Sequence, residues 1–126
     1  MAAVTVVVVD DQITFLHAMA TVVEATPGFC VVGMASSGEE SLLVTDALRP
    51  HLVLMDVNLP GMDGVEATRR LRRTTPTTVV VLLSTYDDDA GEEFVNDSGA
   101  AAYVTKSAFG PARLRAVWAA AERRGE

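Results

Sequence analysis

Val4-Thr5-Val6-Val7-Val8-Val9-Asp10-Asp11 is an apolar, largely β-branched run that stops abruptly at two carboxylates. Such a continuous run predicts a strand buried on both faces, because a strand with one wet face alternates apolar and polar residues. Further β-rich runs follow at Phe29 to Ala35, Leu52 to Met55, Thr78 to Leu83 and Ala101 to Thr105. All but the last are near-continuous in Val, Leu, Ile or Met, the pattern of strands buried on both faces of a parallel sheet.

The segments between them carry helical spacing. Phe15, Met19, Val22 and Val23 recur at i, i+4, i+7 and i+8, and Leu114, Val117, Trp118 and Ala121 at i, i+3, i+4 and i+7. Pro27-Gly28 stops the first helix, and Gly99 suits the left-handed position after the fourth. Ser37-Gly38 starts the second helix, Asp63 caps the third, and Pro111 fits the first turn of the last. Strands alternating with helices predict right-handed crossovers and a parallel sheet covered on both faces. The expected fold is α/β: a flavodoxin-like (βα)5 three-layer sandwich with a five-stranded sheet in the order 2-1-3-4-5.

The 126 residues, 49% of them apolar, suffice for one substantial core and one domain. No apolar run approaches the roughly 20 residues that span a bilayer, and no export signal follows Met1, so a soluble, cytoplasmic protein without a membrane partner is expected. Cys30, the single cysteine, sits between Phe29 and Val31 and is expected to be a buried packing thiol. A net charge of −7 argues against nucleic acid as a direct partner of this domain. The cluster Arg69, Arg70, Arg72 and Arg73 reads as a solvated helix face or a docking patch. His17 and His51 have no partner at ligand spacing.

In such a sheet, ligands sit beyond the carboxyl ends of the strands where the strand order reverses, here between strands one and three. Strand one ends in Asp10-Asp11 and strand three in Asp56, so three carboxylates should converge there. One pair of like charges at 4 Å costs about 4 kcal/mol at an effective dielectric near 20, so the cluster calls for a bound proton or a hard cation such as Mg²⁺. Capping of the first helix would need a single Asp. Strands four and five end at Ser84 and Lys106, adding a hydroxyl and an ammonium to complete a phosphoryl cradle.

These residues resemble the receiver domain of two-component response regulators over the whole chain, residues 1–126. The matching pieces are Val8-Val9-Asp10-Asp11, Met55-Asp56-Val57-Asn58-Leu59-Pro60-Gly61-Met62-Asp63-Gly64, Leu83-Ser84 and Tyr103-Val104-Thr105-Lys106, in order at the ends of strands one, three, four and five. The resemblance implies that Asp56 takes a phosphoryl group from a phosphohistidine on a sensor histidine kinase. It implies Mg²⁺ bound by Asp11, Asp56 and the Asn58 carbonyl, with Asp10 acting through water. Ser84 and Lys106 would contact phosphoryl oxygens. Tyr103 would turn inward with Ser84, moving the surface of the fourth helix, fifth strand and fifth helix. That surface, or the one between the first and fifth helices, would also serve a homodimer.

Ser84 stands where many relatives carry Thr, and Ser107-Ala108 follows Lys106 where Pro or an acid is usual; the resemblance implies that Tyr86, two residues beyond Ser84, would shield the phosphoryl group from water. The segment Val79 to Asp89 looks most like receivers joined to a LuxR-type helix-turn-helix output, so transcription would be controlled by an output domain outside this chain, which is expected to be either excised or stand-alone. Two other functions compete. A phosphohydrolase with an aspartyl-phosphate intermediate would want a second Asp two residues past the nucleophile, where Asn58 stands. A receiver-like interaction module would work without phosphorylation.

Overall fold

The apolar runs become the centre of the molecule. The computed structural model describes residues 3–85 and 91–125. Within them the chain runs β1 (Val4–Val9), α1 (Ile13–Ala25), β2 (Phe29–Ala35), α2 (Gly38–Leu48), β3 (Leu52–Asp56), α3 (Gly64–Thr74), β4 (Val79–Ser84), α4 (Gly91–Ser98), β5 (Ala102–Thr105) and α5 (Pro111–Gly125), with a 3₁₀ turn at Lys106–Ala108. The strands form one parallel sheet in the order β2-β1-β3-β4-β5. This is the expected flavodoxin-like arrangement, and it puts the reversal of strand order between β1 and β3.

The two-residue period of β1 sends its side chains to opposite layers. Val7 and Val9 join Val53, Met55, Leu71 and Leu82 on the side of α2, α3 and α4. Val6 and Val8 join Leu54, Leu16, Met19, Val23 and Leu114 on the side of α1 and α5. The α1 stripe therefore runs through Leu16, with Phe15 displaced to its half-buried rim, because Leu16, Met19 and Val23 lie at i, i+3 and i+7.

β2 departs from its expected burial on both faces. It is an edge strand, and Val32 and Met34 are exposed. The register with β1 skips Val32, since Val6 pairs with Val31 and Val7 with Gly33. That bulge is the kind that turns an edge away from further pairing. Cys30 lies on the same strand and is half-buried, not fully packed away.

The caps follow the residue chemistry. Ser37 accepts from Glu40 N at 3.0 Å while the Glu40 carboxylate accepts from Ser36 N, and Asp63 accepts from Glu66 N at 2.8 Å. Gly99 takes positive φ as expected and Gly28 does so too, but α2 ends at Arg49 in the left-handed conformation (φ 47°), a position that pattern reading leaves unassigned. Arg49 is held there by Asp46, whose carboxylate and carbonyl both accept from its guanidinium.

At the far end of the sheet from the reversal site, His51 ties β1 to β3. Its Nδ1 accepts from Thr5 N at 3.0 Å, and its own N–H donates to Thr5 O and Oγ1. The imidazole meets the Trp118 ring of α5 edge-on, with centroids 6.4 Å apart. Three arginines of the cluster, Arg69, Arg70 and Arg72, are likewise engaged within the chain. Arg69 and Arg70 converge on Glu66, Arg69 Nε donates to Asp97 O of α4, and Arg72 donates to the carbonyls of Pro76 and Thr78. Arg70, and then Arg69, hold the Glu66 carboxyl below its ordinary range.

Candidate functional site

Val9 pairs with Met55, so the residues that follow each strand leave the sheet side by side. The main chain of Asp10 is still held, donating to Ala35 O at 3.1 Å, and the Val57 N–H continues the β3–β4 ladder to Leu83 O at 2.9 Å. Asp10, Asp11 and Asp56 are thereby brought together, with one oxygen of each within 4.8 Å of the others. Asp10 has no exposed surface and Asp56 3%, whereas Asp11 faces solvent. Neither acid of the pair caps α1, whose N-cap Gln12 makes no side-chain cap bond; Asp10 Oδ1 accepts from Gln12 N at 2.9 Å.

Lys106 enters from the 3₁₀ turn after β5. Its Nζ donates to Asp10 Oδ2 at 2.7 Å and lies 3.5 Å from Asp56 Oδ1, with its side chain 10% exposed. The ammonium thus sits nearer Asp10 than Asp56, a preference that spacing along the chain did not reveal. Burial pushes the Asp56 carboxyl up to about 6, reinforced by the neighbouring charge of Asp10 and opposed by Lys106 and by the N–H of Asn58. One ammonium does not neutralise three acids. The uncompensated charge, the all-oxygen donors and the solvent-facing Asp11 suit a hard divalent cation.

Asn58 is exposed, and its N–H reaches Asp56 Oδ1 at 3.4 Å. Its loop is shaped by Gly64, which closes the matching motif but has no role assigned from the sequence: an added Cβ would stand 2.0 Å from Asp56 O and 2.9 Å from Val57 Cα. Only a residue without a Cβ lets α3 begin this close to the end of β3. The Asp63-Gly64 pair was the available signal.

Ser84 closes β4 opposite Thr105, one position beyond the Leu83 that pairs with Asp56, and is buried. Tyr103, opposite Leu82 on β5, is half-buried. Its ring lies 6.0 Å from that of Phe94, and its Cδ1 would be 2.6 Å from a Cβ added at Gly91. The first residue of α4 is therefore shaped around Tyr103. Tyr86 and the acidic residues 87–89 fall outside the described residues. Ser107 and Ala108 complete the 3₁₀ turn, with Phe109 N donating to Lys106 O at 3.3 Å.

A buried carboxylate beside an ammonium, with two more carboxylates at hand for a metal, can accept an electrophilic phosphorus: no proton must be removed from the nucleophile, and the transferred charge meets cations. Comparison with known proteins identifies the family. Residues 6–119 match the response regulator receiver domain family. The response regulator GacA of Pseudomonas protegens is 42% identical over 105 residues, covering 83% of this chain and 49% of that protein. A protein-glutamate methylesterase/protein-glutamine glutaminase of Nocardioides is 34% identical over 110 residues, covering 86% of this chain and 30% of that one. The chain spans about half the length of the GacA relative. Among solved structures, a LuxR-family two-component response regulator from Aurantimonas superposes with a TM-score of 0.84 at 28% identity, covering 99% of this chain and 100% of that one.

Proposed function

The chain belongs to the response regulator receiver domain family, and we propose that it is a phosphorylation-controlled switch in which Asp56 accepts a phosphoryl group from a partner histidine kinase. One observation carries the reading. Asp56 is a nearly inaccessible carboxylate with an ammonium 3.5 Å from its Oδ1 and two further acids beside it.

In the transfer, a phosphorus–nitrogen bond of the donor imidazole breaks as a phosphorus–oxygen bond to the Asp56 carboxylate forms, and the ring, protonated beforehand on its other nitrogen, leaves as neutral imidazole. Lys106, already in the site, faces the charge that arrives on the phosphoryl oxygens. Mg²⁺, held by Asp11, Asp56 and the Asn58 carbonyl and by Asp10 through water, would supply charge neutralisation and orientation. Ser84 offers its hydroxyl to the phosphoryl group from the end of β4.

Phosphorylation adds charge and acceptor oxygens at the end of β3. Ser84 responds by moving inward and Tyr103 by turning, and the contact of Tyr103 with Phe94 and Gly91 supports a coupling to α4. The output is a shift between two packings of the surface built from α4, β5 and α5, read by an output domain outside this chain that controls transcription. Tyr103 is the residue through which we expect the shift to propagate, and a homodimer on the same surface would report it.

The test is incubation with acetyl phosphate and Mg²⁺ followed by intact mass measurement. Wild type should gain one phosphoryl group and Asp56→Asn none. No gain by wild type, or an equal gain by the variant, would sink the proposal. Turnover of phosphomonoesters is not expected, because Asn58 offers no carboxyl to serve as general acid.

A further inference from the structure

We propose that Phe15 is a positioning residue for Lys106: the face of its ring holds the ammonium over the acidic cluster and lets it pass between Asp10 and Asp56. The inference deepens the reading of Asp56 as phosphoacceptor and rests on it for its kinetic arm only.

Lys106 Nζ lies 3.9 Å from the centroid of the Phe15 ring. It is thus sandwiched between an aromatic face and two carboxylates, at 2.7 Å from Asp10 and 3.5 Å from Asp56. The ring quadrupole attracts the charge without requiring a particular N–H direction. The ammonium can therefore slide from Asp10 toward Asp56 while keeping the ring beneath it and its donors free for oxygen. A second carboxylate in that position would instead capture it.

Phe15 is not needed where core filling alone would place an aromatic. Leu16, Met19 and Val23 carry the buried stripe of α1, and Phe15 sits at its half-buried rim. Phe15 and Lys106 both line a cavity of about 310 Å³ walled also by Met19, Val22, Leu83 and Phe109, and among the described residues Lys106 is the one charged group lining it. A lysine has a long, flexible stem. Without an aromatic face on this flank, the carboxylates alone hold the ammonium, and the bond to Asp10 is the one it keeps.

The variants are Phe15→Leu, which removes the π face, and Phe15→Tyr, which keeps it. In metal-free wild type, the ε-methylene protons of Lys106 should show an upfield ring-current shift, retained in Phe15→Tyr and lost in Phe15→Leu. Phosphorylation by acetyl phosphate should slow about fivefold in Phe15→Leu and recover in Phe15→Tyr. In a Lys106→Met background, Phe15→Leu should have no further effect, because its action passes through the ammonium.

Absence of the ring-current shift in wild type overturns the proposal without any variant, so a poorly folding Phe15→Leu does not protect it. An undiminished effect of Phe15→Leu in the Lys106→Met background, or a wild-type rate in Phe15→Leu alone, overturns it as well. If wild type accepts no phosphoryl group, the reading of Asp56 fails, and the ring-current measurement still decides the pairing of Phe15 with Lys106.

Discussion

Replacing Asp56 by Asn should stabilise the metal-free protein at neutral pH. Moving this carboxyl from its ordinary 3.8 to about 6 corresponds to about 3 kcal/mol against the ionised form in the folded state. That figure is already net of the opposing attraction of Lys106; Asn keeps the shape and removes the charge but is a poorer acceptor for the neighbouring donors, so a gain of about 1–3 kcal/mol is expected. For a chain of this length that raises Tm by roughly 4 °C per kcal/mol. The sign follows from proton binding. The folded state holds the Asp56 proton up to about pH 6 while the unfolded chain releases it near 3.8. The wild type therefore takes up a proton on folding within that window, and its stability falls as pH rises through it. The assay is urea unfolding in EDTA, followed by the emission of Trp118, between about pH 4 and pH 8. The difference between variant and wild type should be largest above about pH 6 and shrink toward pH 4. A variant no more stable than wild type at neutral pH, or a difference that does not change with pH, would refute the electrostatic account of the site.

Three other outcomes are expected. Mg²⁺ at about 100 times its Kd should stabilise wild type by about 2.7 kcal/mol and leave Asp56→Asn nearly unmoved, with the affinity falling below about pH 6 as protons compete for Asp56; calorimetric titration at several pH values checks this. Gly64→Ala forces a Cβ against Asp56 O, so it should cost about 1–3 kcal/mol in urea unfolding and weaken Mg²⁺ binding together. His51→Ala removes the acceptor of Thr5 N and should cost about 1–2 kcal/mol while changing Trp118 emission; amide shifts of Asp56 and Lys106 that stay at their wild-type values would mark the effect as local to the opposite end of the sheet.

The order of elements, the sheet topology and the meeting of Asp10, Asp11 and Asp56 were legible because each rests on a local signal: an apolar run, a cap, an acid at a strand end. β1 and β2 have their expected bounds, and the ends of β3, β4 and β5 differ from expectation by one residue. What escaped depends on the third dimension. Hydrophobic continuity does not distinguish an edge from a centre, so the exposure of Val32 and Met34 was hidden until the bulge against β1 was seen. The choice of Phe15 over Leu16 for the α1 stripe failed because both positions carry large apolar residues, and only the rotation of the helix decides which is buried. Likewise, Lys106 was placed at the correct sheet edge, but its closer approach to Asp10 and its seat on Phe15 are set by side-chain packing between distant segments.

The bond from Lys106 to Asp10 spans 96 positions of the chain. During synthesis, Asp10, Asp11 and Asp56 all leave the ribosome well before the lysine that tempers their repulsion. A nascent chain that has completed β3 has its acids but lacks both the cation and the strand that carries it. For the phosphoryl transfer to Asp56 proposed above, the site is therefore assembled only once β5 has docked.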